Sequence, residues 1–128
     1  MIVDSSAIVA IALGEPEQVR LLRSLFRADA VRVSAPTWLE TSMVLAPRLG
    51  DRTAAVLGGI ELQFSIEVIP FDAAHAREAL VAWRQFGRGQ HPARLNFGDC
   101  ISYAAARIAK EPLLFVGDDF SKTDIDAA

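Results

Sequence analysis

Apolar and polar positions follow two rhythms along this chain. Short aliphatic, β-branched runs fall at Ile2–Val3, Val31–Ser34, Ile66–Phe71 and Leu113–Val116, and the stretches between them repeat apolar residues at three- and four-residue steps. Strands alternating with helices predict a parallel sheet. The expected architecture is α/β, with three layers and a central, mostly parallel sheet of four to five strands between helices. The first helix can start at Ser5 or Ser6, which suit the N-cap, and stop at Gly14. Pro16 opens a second, with Val19, Leu22, Leu25 and Phe26 inward and Arg20, Arg23 and Arg27 outward. Ser34 and Pro36 start a third that carries Trp38, Leu39, Glu40 and Met43, and Pro47 should end or kink it. Asp51 begins a fourth, closed before Ile66. Asp72 caps a fifth, with Ala76, Leu80 and Trp83 on its buried side and Gly87 at its end. Gly87–Leu95, the one extended loop, contains Arg88, His91 and Arg94 and suits a functional role. A last helix, about Phe97 to Lys110, precedes the final strand and the turn Gly117-Asp118-Asp119.

Composition narrows the setting. The 128 residues are 52% hydrophobic, with no repeat, linker or composition break, so one domain over 1–128 is expected. At that size a chain buries about two-thirds of the surface it exposes when unfolded. The net charge of -3 excludes nucleic-acid binding by bulk electrostatics, and a polyanion must therefore bind locally. A single cysteine, Cys100, excludes an intrachain disulfide; no secretory signal is visible, and no apolar run approaches the roughly 18 residues that cross a bilayer. A cytoplasmic protein without a membrane role is expected.

Several carboxylates occupy positions unlike those of ordinary surface acids. Asp4 ends an apolar strand, Glu40 interrupts Trp38-Leu39 and Met43-Val44, Asp99 lies in a first helical turn, and Asp118 or Asp119 follows the last strand. Each has a plain structural explanation as a cap, a helix-dipole partner or a turn residue. Asp4 resists that explanation best, since Ser5 and Ser6 already offer caps. In a doubly wound sheet these acids can converge where such folds hold their ligands.

Converging carboxylates repel one another, and burying one unpaired charge costs several kcal/mol. A divalent cation resolves the conflict. Oxygen donors without a His or Cys cluster favour Mg²⁺ or Mn²⁺ over Zn²⁺. His75 reads as a first-turn helix residue and His91 as a loop residue, with no ligand spacing between them. Such a cation activates water and polarises a phosphoryl oxygen, which is phosphodiester hydrolysis chemistry. No phosphate-binding Gly-rich loop, dinucleotide fingerprint or nucleophile elbow is present.

Four segments together carry a family resemblance: Ile2-Val3-Asp4-Ser5-Ser6-Ala7, Trp38-Leu39-Glu40-Thr41, Leu95-Asn96-Phe97-Gly98-Asp99-Cys100 and Leu113-Leu114-Phe115-Val116-Gly117-Asp118-Asp119-Phe120. In order and spacing the chain resembles VapC-type toxins of the PIN-domain family over nearly its whole length. The resemblance implies a Mg²⁺- or Mn²⁺-dependent endoribonuclease, neutralised by a cognate antitoxin. It carries Asp4, Glu40 and Asp99 onto three acidic positions, with Asp119 favoured over Asp118 for the fourth. Asp4 and Asp99 are then the principal metal ligands, and Ser6 and Asn96 match polar positions that support the cluster. The resemblance also implies a homodimer. Two departures stand out: Pro47 inside the Glu-bearing helix, and an end at Ala128 where relatives commonly add an edge strand, which leaves the sheet less protected.

Arg88 and Arg94, with Arg84 and His91, crowd the loop before Asp99, where they can hold RNA phosphates. The apolar surplus suits a protein partner. Two other readings remain open. An aspartate-nucleophile phosphohydrolase needs a second Asp two residues after the first, where this chain has Ser6. A catalytically inactive PIN-like module would bind RNA or protein without cutting.

Overall fold

The computed structural model describes residues 1–128. Four strands, β1 (Ile2–Val3), β2 (Arg32–Ser34), β3 (Glu67–Ile69) and β4 (Leu113–Leu114), form one parallel sheet in the order β3-β2-β1-β4. The connecting helices are α1 (Ser5–Leu13), α2 (Gln18–Arg27), α3 (Ala35–Leu49), α4 (Thr53–Phe64), α5 (Ala73–Phe86) and α6 (Phe97–Ala109). The chain first steps outward from β1 to β2 and β3, then returns to the other side of β1 as β4. This reversal opens a crevice at the C-terminal ends of β1 and β4, where open α/β sheets bind ligands.

Successive strand residues face opposite ways, and that period of two builds the layers. Val3, Val33 and Leu114 point into a core shared with α1 to α4, whereas Ile2 and Leu113 point into one shared with α5 and α6. Ala104, Ala105 and Ala106 are all buried, so α6 approaches its neighbours closely. The expected three-layer α/β/α fold is thus present with four strands. No helix is long and apolar enough to cross a membrane.

Local expectations fare unevenly. Helix α3 continues through Pro47 to Leu49 instead of ending there. Pro47 lies in the last turn, and both it and Met43 are exposed, so water can serve the carbonyl left without a donor. A short 3₁₀ turn, Gly50–Arg52, precedes α4 and displaces its start from Asp51 to Thr53. In α2 the buried residues are Leu21 and Leu25, with Val19 and Phe26 largely exposed. In α5 only Ala82 is buried, while Ala76, Leu80 and Trp83 are exposed. The apolar stripe on α5 is wider than the face it buries, and only Ala82, with Ala79 half-buried, goes inward where α6 packs closely. The edge of β4 is also less open than expected: Leu113 donates to the Asp126 carbonyl at 2.9 Å and accepts from the Ala128 N–H at 3.0 Å.

Leu45, fully buried on α3, and Leu80, half exposed on α5, are equally apolar in the sequence but unlike in the fold. Leu45→Ala should cost about 2–5 kcal/mol in urea unfolding. Leu80→Ala should stay within about 0.5 kcal/mol.

Candidate active site

β1 delivers Asp4 into the crevice, where the residue is only 4% exposed. Both carboxylate oxygens accept hydrogen bonds: Oδ2 from the Ser6 backbone N–H at 3.0 Å and from Ser6 Oγ at 2.6 Å, Oδ1 from Ser102 Oγ at 2.6 Å. Asp4 is therefore itself the N-cap of α1, not Ser5 or Ser6. The helix starts directly from the strand, so the first residue outside it is Asp4, and aspartate caps as well as serine. Capping leaves the bond from Ser102 unexplained. Ser6 Oγ also accepts from the Val116 N–H at 3.1 Å and so joins the exit of β1 to that of β4.

Asp99 stands at the third position of α6. It forms a reciprocal cap with Asn96: Asn96 Oδ1 accepts from the Asp99 N–H at 3.0 Å, and Asp99 Oδ2 accepts from the Asn96 N–H at 2.7 Å. Glu40 comes from α3, the crossover after β2. A Cβ built on Gly98 would lie 2.5 Å from Glu40 Oε1, so the first turn of α6 passes close against this carboxylate and a larger residue there would make Glu40 shift. Asp119 opens the short 3₁₀ turn Phe120–Lys122, anchored by the buried Phe120 ring.

The four acids act on one another. Burial pushes the Asp99 carboxyl up to about 6, the Asn96 N–H pulls against it, and the charges of Asp4, Asp119 and Glu40 add to the rise. Glu40 is also raised, by burial first and by the charge of Asp4, with the Ser5 side chain opposing. Asp119 is among the charges felt by Asp99. No Lys, Arg or His forms an ion pair with any of the four. No three His, Cys, Asp or Glu side chains are drawn tightly enough together to close a metal cage. The donor set is nevertheless that of a hard divalent cation: carboxylate oxygens only, mutually repelling and without a protein cation to offset them.

The loop after α5 is pinched shut by Arg88 N–H donating to the Leu95 carbonyl at 3.1 Å and Leu95 N–H donating to the Phe86 carbonyl at 2.9 Å. Arg88 lines an apolar groove of about 450 Å³ with Phe71, Leu80, Trp83 and Phe97, and the groove reaches Asn96 beside Asp99. Arg94 is exposed, with left-handed backbone at φ 55°. Neither arginine forms an ion pair. The two histidines are occupied locally. His75 Nδ1 lies 2.8 Å from Asp72 Oδ1, and His91 Nδ1 accepts from the Ala93 N–H at 3.1 Å.

The PIN-domain family model matches residues 1–126. The chain belongs to the PIN-domain family. A VapC ribonuclease of Mycobacterium bovis is 45% identical over 129 residues, covering 100% of this chain and 98% of that protein. A ribonuclease VapC of Mycolicibacterium smegmatis is 41% identical over 133 residues, covering 99% and 98%. Among solved structures, Mycobacterium tuberculosis VapC20, a sarcin-ricin loop cleaving toxin, superposes with a TM-score of 0.79 at 23% identity, covering 99% of this chain and 97% of that one. A toxin-antitoxin complex from Klebsiella pneumoniae superposes at 0.70 with 15% identity, over 96% and 92%.

This PIN domain contains site features beyond the acidic positions. Ser102, Thr37 and Ser34 are each 1% exposed and stand behind Asp4, with Ser102 Oγ 3.4 Å from Thr37 Oγ1, which is 2.8 Å from Ser34 Oγ. One sequence signal pointed to Ser102: it is the lone small hydroxyl in the buried run from Cys100 to Ala106.

A carboxyl raised in the folded state binds its proton more tightly there than in the unfolded chain. The electrostatic cost is thus full above about 6 and fades as pH falls through that value toward 3.8. Metal-free protein should therefore melt at higher temperature as pH is lowered from about 7.5 to about 5.5. Asp99→Asn, which keeps the oxygen that accepts from Asn96, should stabilise metal-free protein at neutral pH by about 1 kcal/mol after allowance for solvent screening, and should flatten that slope.

Proposed function

We propose that this protein is a toxin endoribonuclease that hydrolyses RNA phosphodiester bonds, and that Asp4, Glu40, Asp99 and Asp119 form its acidic centre. One observation carries the reading: uncompensated carboxylates gather at the switch point of a parallel sheet, in a chain 45% identical over its full length to a VapC ribonuclease. Residues 1–128 are read as one PIN-like domain. Asp4 and Asp99 would hold Mg²⁺ or Mn²⁺, with Glu40 and Asp119 completing the negative field. When bound, such an ion lowers the pKa of a water, polarises the phosphate and screens repulsion between phosphate and acids. Burial and the neighbouring acids raise Glu40 and Asp99 above the ordinary carboxylate range, and a bound cation would oppose that rise by favouring their ionised forms.

RNA must reach an acidic pocket on a chain of net charge -3. We assign phosphate binding to Arg88 and Arg94, unpaired on the loop leading to Asn96 and Asp99. A partner protein fits the apolar surface beside them. Phe97 is 84% exposed and borders two grooves, one with Leu80 and Trp83 of α5, the other with Leu39, Met43 and Val44 of α3. The occupant proposed is a cognate antitoxin, in keeping with the toxin-antitoxin complex that shares this fold. A second copy of the chain is proposed to form a homodimer, and the setting proposed is the cytoplasm.

Purified protein should cut RNA in Mg²⁺ or Mn²⁺ and stop in chelator. Asp4→Asn should lower cleavage well beyond the roughly 10- to 100-fold that loss of a supporting group costs. RNA binding by the wild type that needs no metal and brings no cleavage would favour an inactive binding module instead. For the cations, replacing Arg88 and Arg94 together with Gln should weaken RNA binding and reduce the slope of log K against log salt by about 0.7 for each phosphate that is no longer neutralised. An unchanged slope removes both arginines from the interface.

A further inference from the structure

The bond from Ser102 to Asp4 is the end of a longer chain. Ser102 donates its single proton to Asp4 Oδ1 at 2.6 Å, so toward Thr37 Oγ1, 3.4 Å away, its oxygen can only accept. Thr37 then accepts from Ser34 Oγ at 2.8 Å. One direction of donation, from Ser34 through Thr37 and Ser102 to the carboxylate, serves every hydroxyl and aligns their dipoles toward negative charge. All four residues are buried, and no cation stands beside them.

We infer that Ser102 is a positioning residue that sets the orientation of the Asp4 carboxylate for divalent-metal binding, with Thr37 and Ser34 supporting it. The terminal torsion of an aspartate is soft, and Oδ2 already accepts twice from Ser6, so the donor on Oδ1 decides where the one remaining lone pair aims. Carboxylates that ligate metals depend on such outer partners. Ser102 lies one turn after Asp99 on α6, and Thr37 lies one turn before Glu40 on α3. The hydroxyl chain therefore ties the two helices that carry Glu40 and Asp99 to the rotamer of Asp4.

The inference rests on the metal reading above, and the experiment separates the two. Mn²⁺ alone is titrated into full-length protein without RNA, and free ion is read by electron paramagnetic resonance for wild type, Ser102→Ala, Ser102→Thr and Asp4→Asn, with thermal melts as a fold control. Ser102→Ala should weaken Mn²⁺ binding by about tenfold or more. Ser102→Thr, which keeps the donor, should restore it, and Asp4→Asn should lose more than either. A folded Ser102→Ala that binds as wild type does overturns the role of Ser102 alone. Wild type that binds no Mn²⁺, or Asp4→Asn that binds normally, overturns the metal reading and this inference with it. If Ser102→Ala does not fold, Ser102→Cys decides: its weakly donating thiol should weaken binding about tenfold, and unchanged binding refutes the assignment.

Discussion

The negative charge of Asp4 is held inside the protein by hydroxyl and amide dipoles, with no cation against it. An isolated buried carboxylate costs several kcal/mol, comparable with the whole net stability of a small domain, so these donors are a condition of folding around that residue. They also tie elements together. Ser6 links Asp4 to the backbone after β4, and Ser102 links it to α6. Glu40, Asp99 and Asp119 then add repulsion that the protein alone does not relieve. A fold selected for stability alone would have placed apolar side chains there, and this site gives up some stability for its chemistry.

The topology explains why such a cluster is possible. β1 lies between β2 and β4, so Asp4 emerges in the crevice that the reversal of strand order leaves open. The crossover through α3 brings Glu40 to one side, and the return through α6 brings Asp99 to the other. The two helices meet at Gly98, where the absent Cβ leaves room for Glu40. The exposed Phe97 ring, one residue earlier, stands between the grooves along α3 and α5. Glu40, Asp99, Arg88 and the apolar grooves thus meet around the first turn of one helix.

Much of this was legible in the chain. Its two rhythms marked all four strands and all six helices, because periods of two and of 3.6 follow from backbone geometry alone. The ends of elements were less legible. Pro47 was tolerated in α3 since only a solvent-facing carbonyl lost its donor, and Asp4 displaced Ser5 and Ser6 as cap because α1 follows its strand without a spacer. The inward faces of α2 and α5 were misjudged for another reason: Val19, Phe26, Leu80 and Trp83 belong to stripes wider than the surface their helices bury.

By itself, the sequence determined the alternation that dictates a parallel sheet, the candidate carboxylates at element ends, and the motifs of the PIN-domain family. Each is a property of residue type and spacing. Only the tertiary structure decided which apolar faces stay open, and that Ser34, Thr37 and Ser102 line up behind Asp4. Those depend on contacts between residues as much as 98 positions apart, and a hydrogen bond across that separation leaves no periodic trace along the chain.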